Sequence, residues 1–242
     1  VTPPAYFPLN VKMNKEGYQP LEEIIKRGMQ ALNPHEFELT ATATGALVLD
    51  VRTQGEYVKG HIPRSIFIGL NGSFAPWVGD LIKDVEQEIL LVANEDQIKE
   101  AITRLSRVGF DNVIGYLNGG YEVWAAENRT IDTVRTEQAD IIVSAQQEGK
   151  TIVDVRKPSE YEAEHIEGAI NASLRDINDH LSNIPKYETF YVHCVSGYRS
   201  VIAASILKSR GYHNLINIDG GIQAIKKTQT AITQFVCPTT LS

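Results

Sequence analysis

The chain has 242 residues, 43% of them hydrophobic and 22% charged, and a formal net charge of −7. That balance fits one or two globular domains and excludes a surface built as a whole for nucleic acid or anionic lipid, so any anion site must be made locally. Two cysteines are too few for a disulfide framework and fit a reducing, cytoplasmic setting; no apolar run reaches membrane-span length; and the scattered histidines show no metal-ligand spacing, so neither metal nor cofactor is expected.

The chain opens on Val1-Thr2-Pro3-Pro4, which reads as a cut end rather than a native start. Pro3, Pro4 and Pro8 with Tyr6 and Phe7 suggest an extended, packed arm, followed by a helical stretch over Leu21 to Leu32. Residues 1–32 are therefore set apart as an N-terminal arm. Asn33-Pro34-His35-Glu36 has the form of a helix start, with Asn as cap, Pro at the first position and Glu three residues on. A short apolar run, Ala46 to Val51, reads as a buried strand, and an acidic-aromatic helical turn follows it. Further strands are expected around Ile66 to Ile68, over Ile89 to Ala93 leading into a helix, and over Val113 to Leu117 ahead of Gly119-Gly120.

The same grammar then returns. Asp50, Glu56 and His61 recur as Asp154, Glu160 and His165, each 104 residues later, and Gly119-Gly120 recurs as Gly220-Gly221 at an offset of 101. A unit of about a hundred residues is a whole domain rather than a solenoid repeat. Residues 33–128 and 134–230 are taken as the two domains, with a polar link around Asn128 to Glu137 and a tail over 231–242. In the second unit the strands are Thr151 to Val155, Ala169 to Ala172, Phe190 to His193 and Leu215 to Ile218. A helix over Arg199 to Arg210 buries Ile202 with Ile206 and Ala203 with Leu207, four apart. Strands alternating with helices imply α/β domains, each a mostly parallel sheet flanked by helices, with ligands at the carboxyl ends of the strands.

Phe190 to His193 delivers Cys194 to that edge. The segment Cys194-Val195-Ser196-Gly197-Tyr198-Arg199-Ser200 runs from strand end through a loop into a helix. Backbone N–H groups in such a loop can converge on an anion, aided by the helix N-terminus, and Arg199 adds positive charge. A cysteine there is expected to have a lowered pKa and to attack a sulfane sulfur, giving a persulfide held by the same N–H groups until a second nucleophile removes the sulfur. The alternative is an inert cysteine buried at a strand end.

The pattern D-V-R-x-x-x-E-Y, then H-I-x-G-A-I-N, C-x-S-G-x-R-S and a late G-G, over about residues 135 to 228, resembles the rhodanese homology domain. The resemblance implies a sulfurtransferase with Cys194 as the persulfide-bearing residue, Val195, Ser196, Gly197, Tyr198 and Ser200 as its cradle, and Arg199 as a loop arginine. Its substrates would be a small sulfur donor, thiosulfate or a persulfide, and a thiol acceptor. The first unit resembles the same domain, but its loop reads Ala93-Asn94-Glu95-Asp96-Gln97; Asn94 takes the cysteine position, and the loop counts two residues short, as in an inactive tandem partner. The stretch Pro4-Ala-Tyr-Phe-Pro-Leu-Asn-Val11 resembles the end of the metallo-β-lactamase-like domain in proteins that fuse it to two rhodanese domains, some of them persulfide dioxygenases.

Asp154 with Arg156, and Asp50 with Arg52, occur in both units and read as structural pairs rather than catalysts, as do His61 and His165. Strand alternation turns His193 away from Cys194. Tyr198 either lines the pocket mouth or is a plain exposed aromatic, Cys237 reads as incidental, and Trp77 and Trp124 as packing residues. A cysteine phosphatase would need C-x5-R, one residue longer than Cys194 to Arg199. A non-catalytic interaction module serving an upstream domain is the other alternative.

Overall fold

The computed structural model describes residues 20–237, so the Pro-rich start lies outside the described residues. The chain divides into two compact units between Asp132 and Thr133.

The first unit begins with α1 (Leu21–Gly28), acidic in its first turn and basic in its last, which suits the helix dipole. Gly28 closes it: a Cβ there would meet Ile102 at 2.9 Å and Val113 at 3.2 Å, so the helix end seats directly on a second helix and a strand. The sequence reading carried this helix on to Leu32. Instead, Ala31–Leu32 is a short edge strand, β1, paired in parallel with Tyr116 and Leu117. Residues set apart as an arm thus complete the first sheet. α2 (Pro34–Thr44) starts on a reciprocal cap in which the Asn33 side chain accepts from Glu36 N and Glu36 accepts from Asn33 N, both at 3.0 Å, and Gly45 ends it at φ 71°. Then come β2 (Leu47–Asp50), α3 (Gln54–Lys59), β3 (Ile66–Phe67), α4 (Phe74–Leu81), β4 (Ile89–Val92), a 3₁₀ turn (Glu95–Gln97), α5 (Ile98–Ser106), β5 (Val113–Leu117) and α6 (Gly120–Ala126).

The second unit repeats the plan with β6 (Thr136–Glu137), α7 (Ile141–Gln147), β7 (Thr151–Asp154), α8 (Pro158–Ala163), β8 (Ile170–Asn171), a kinked 3₁₀ segment (Leu174–Asn183), β9 (Phe190–His193), α9 (Tyr198–Ser209), β10 (Leu215–Ile218) and α10 (Gly221–Ile225). Each unit holds one five-stranded sheet, ordered β1-β5-β4-β2-β3 and β6-β10-β9-β7-β8. Every strand pairing in both is parallel, so the expected α/β architecture holds. All four residues of β4 and of β9 are buried, because helices cover both faces of a parallel sheet. α9 departs from its expected single buried stripe. Ser200 to Leu207 are buried all round, since the helix lies against β9 and β10 on one side and the 3₁₀ segment on the other. No helix among the described residues is long and apolar enough to cross a membrane.

Candidate active site

β9 lies between β10 and β7, so its carboxyl end sits at the middle of the sheet edge. Cys194 follows directly and is only 2% exposed. The loop reverses through Gly197, whose φ of 111° lies in the region that favours glycine, and α9 begins at Tyr198. The Gly197 N–H donates to Cys194 Sγ at 3.2 Å. Ser200 Oγ stands 3.7 Å from the sulfur and donates to the Gly197 carbonyl at 3.0 Å. The outward side of the loop is gripped by α10: Ile222 N–H donates to the Cys194 carbonyl at 2.8 Å and Gln223 N–H to that of Val195 at 3.3 Å. Gly221 makes this approach possible. A Cβ on it would lie 2.5 Å from Cys194 O and 2.7 Å from Val195 C and O. With its carbonyls tied outward, the loop turns the Gly197 amide onto the sulfur, at the N-terminal end of a three-turn helix whose dipole favours an anion.

Arg199 is not a free charge. Its Nη1 and Nη2 donate to the two oxygens of Glu160 on α8, at 2.6 and 2.9 Å. That hydrogen-bonded pairing holds the Glu160 carboxyl below its ordinary range and raises Arg199, to which the charge of Cys194 also contributes, so guanidinium and sulfur are within electrostatic reach. Glu160 also accepts from Lys157 N at 3.1 Å. Sequence reasoning missed Glu160 as a site residue; the signal was the E of D-V-R-x-x-x-E-Y.

Behind the loop, Arg156 chelates Asp154 through Nε, at 3.0 and 2.9 Å, and Nη2, at 2.6 Å, and braces the Glu164 carbonyl at 2.7 Å. Both side chains are buried. His193 points into this interior rather than at the sulfur. Its Nδ1 is 3.2 Å from the Cys194 carbonyl, and its Nε2 lies 3.8 Å from Asp154 with no hydrogen-bond partner. Burial pushes its pKa down and so favours the neutral ring. His165 stacks on Tyr161 with ring centroids 3.8 Å apart. Around the loop mouth, Val195 and Tyr198 are half-buried and Ser196 is exposed; Cys237 is exposed as well.

A family model described as the rhodanese-like domain matches residues 33–127 and again 138–228. The chain belongs to the rhodanese-like family. It is similar to the thiosulfate sulfurtransferase GlpE of Pseudomonas entomophila, 35% identical over 81 residues, which covers 34% of this chain and 74% of that protein. It also resembles the thiosulfate sulfurtransferase PspE of Escherichia coli, 37% identical over 70 residues, 28% of this chain and 67% of that one. The putative sulfur carrier protein YrkF of Bacillus subtilis matches at 33% over 76 residues, 31% of this chain and 41% of that protein's length. Among solved structures, a rhodanese-like domain from Anabaena aligns at 25% identity and a TM-score of 0.39, covering 41% of this chain and 79% of that one. Thiosulfate sulfurtransferase from Pseudomonas aeruginosa aligns at 16% and 0.37, covering 86% and 44%.

The register of the two rhodanese-like sheets corrects the alignment of their loops. Asp50 pairs with Val92, and Asp154 with His193. The residue after the strand is therefore Ala93 in the first domain and Cys194 in the second, and Asn94 is not the cysteine position. Gly120 in turn faces the Ala93 carbonyl, as Gly221 faces that of Cys194, although more loosely, at 3.3 Å. The Asn94 side chain instead hydrogen-bonds Glu56, the counterpart of Glu160. The first loop is one residue short rather than two: from 93 to Leu105 is 12 positions and from 194 to Leu207 is 13, those leucine carbonyls accepting equivalent bonds from Phe110 and Tyr212. Arg52 chelates Asp50 as Arg156 does Asp154, and its guanidinium lies 4.3 Å from the Tyr121 ring centroid.

Proposed function

We propose that the second rhodanese-like domain is a sulfurtransferase that carries sulfane sulfur as a persulfide on Cys194. The observation that carries this reading is the Gly197 N–H aimed at a cysteine sulfur at the carboxyl end of the central strand. The relatives named thiosulfate sulfurtransferase support the same chemistry. In the first half-reaction the Cys194 thiolate attacks the outer sulfur of a donor. The bond between that sulfur and the rest of the donor breaks, and its electron pair leaves with a thiolate or sulfite. In the second, an acceptor thiolate attacks the outer persulfide sulfur and the Cys194 thiolate departs. Val195 to Ser200 form the cradle, Ser200 and Gly197 touch the sulfur directly, and the Asp154–Arg156 pair braces the loop from behind. The first domain, with Ala93 where the nucleophile would stand, has a non-catalytic role. A metallo-β-lactamase-type partner upstream rests on the resemblance of residues 4–11, and a cytoplasmic setting on the cysteine usage.

The test is Cys194→Ser in the full chain. Sulfur transfer from thiosulfate or an alkyl persulfide should fall to the uncatalysed level with the fold intact by circular dichroism. Mass spectrometry of the donor-treated parent should find one extra sulfur on the peptide holding Cys194. Substantial turnover by the serine variant overturns the assignment.

A further inference from the structure

The cradle around Cys194 has one basic side chain of its own, Arg199, and the structure shows where its charge goes. Both ends of the guanidinium fork are taken up by Glu160, at 2.6 and 2.9 Å, in a half-buried pair. Such bidentate pairs are the strongest and most directional of ion pairs. Glu160 is itself fixed, since one of its oxygens also accepts the Lys157 N–H at the start of α8. Arg156 behind the loop is likewise committed, to Asp154 and to the Glu164 carbonyl. The cradle therefore holds its anion with backbone N–H groups and the end of α9, and without an uncommitted arginine.

That arrangement discriminates between sulfur donors by charge. Thiosulfate is a dianion, and its attack by the Cys194 thiolate gathers three negative charges and releases sulfite, another dianion. A protonated alkyl persulfide, R–S–SH, brings no charge to the same sulfur and leaves as a single thiolate, R–S⁻, with Cys194–S–SH formed. A sulfonate next to the loop gains most from a free guanidinium; a persulfide gains little.

We infer that Glu160 is a specificity-determining residue: by taking both arms of Arg199, it sets the Cys194 site to accept a low-molecular-weight alkyl persulfide in preference to thiosulfate. This rests on the sulfurtransferase reading of Cys194. Glu160 acts through Arg199, and its effect is a ratio of donors rather than a loss of activity.

The experiment compares kcat/KM for 2-hydroxyethyl persulfide, which has no charged group besides the sulfur itself, and for thiosulfate, with cyanide as the common acceptor and the Cys194→Ser chain as blank. The parent should favour the persulfide. Glu160→Gln keeps the hydrogen bond to Lys157 N, because Gln serves equally in that capping position, and uncovers the Arg199 charge. It should move the donor ratio toward thiosulfate by about tenfold, the worth of one pKa unit of interaction with a nearby charge. Ser196→Lys, at the exposed point of the loop, adds a cation without touching the pair and should move the ratio the same way if Glu160→Gln fails to fold. A parent that prefers thiosulfate, or a ratio unmoved in a folded Glu160→Gln variant, overturns the inference and leaves Cys194 catalysis standing. Absence of Cys194-dependent turnover with either donor overturns both.

Discussion

His193 carries its imidazole into the dry interior behind Cys194, where one ring nitrogen meets a carbonyl and the other has no partner. Burial is the largest cause of its depressed pKa; Asp154 nearby opposes the shift and Arg156 adds to it. In the unfolded chain a histidine takes up its proton near 6.5, while the folded one resists to lower pH. Its contribution to stability is therefore complete above 6.5 and is lost as pH falls through the depressed folded value. Glu160 acts in the same direction lower down, since its folded pKa lies below 4.5 and its pairing is lost on protonation. The stability of the second domain to urea should be level above about pH 6.5 and weaken as pH falls from there to about 5.5, with a slope of up to about 1.4 kcal/mol per pH unit from His193. His193→Asn keeps a donor for the Cys194 carbonyl and removes the titration, so its slope over that interval should be flatter. An identical slope in the two proteins would place the acid sensitivity elsewhere.

At the scale of elements, the site is a junction of β9, the loop, α9 and α10. The recurring Gly-Gly pair was visible in the sequence, but its task was not. Gly220 and Gly221 both have positive φ, 66° and 53°, so alanine strains the backbone at either. They differ in what a Cβ would strike: Ala224 on the same helix for Gly220, the Cys194 and Val195 backbone for Gly221. Gly220→Ala should cost about 1 kcal/mol of stability and leave the loop in place. Gly221→Ala should in addition push the loop away from α10 and lower kcat/KM for sulfur transfer by about a hundredfold, as displacements near 1 Å do at a reacting centre. Equal activities in the two folded variants would mean that α10 does not hold the loop in its working position. α9, whose sequence spacing predicts one buried stripe, is instead buried all round from Ser200 to Leu207. Ser200 and Ser205 are buried with the aliphatics, and each satisfies its hydroxyl on a carbonyl three residues back, so polarity in the sequence did not mean exposure.

At the scale of the molecule, one fold occurs twice with two different loops. The second domain reverses through Gly197 and presents an amide to its sulfur. The first forms a 3₁₀ turn over Glu95–Gln97, is one residue shorter, and fills the cysteine position with Ala93. Glu56, capped on Thr53 N at 2.8 Å, takes Asn94 in place of an arginine. Neither Ala93→Cys nor Asn94→Cys, each in a Cys194→Ser background, should therefore restore sulfur transfer. Glu95 and Asp96 beside the new thiol would also repel an anionic donor. Replacing 93–97 by the sequence of 194–199 lengthens the turn by one residue and is the variant expected to gain measurable activity. Turnover by Ala93→Cys alone would show that the shorter loop is already competent.

The duplication, the parallel α/β class and the place of Cys194 at a strand end were all legible in the sequence, because they rest on local signals. These were unbroken apolar runs for doubly covered strands, the Asn33–Glu36 cap at the start of α2, and a motif repeated at a constant spacing. Three things were decided only by the tertiary structure. The edge strand Ala31–Leu32 is two residues long, too short to show a period, and exists because β5 pairs with it. The match of Ala93 to Cys194 depends on strand register, and the apolar run from Ile89 to Ala93 contains no residue that marks it; only pairing with Asp50 does. The partner of Arg199 is 39 residues away on another helix, a distance over which no sequence pattern pairs two charges until the fold has brought α8 beside the loop.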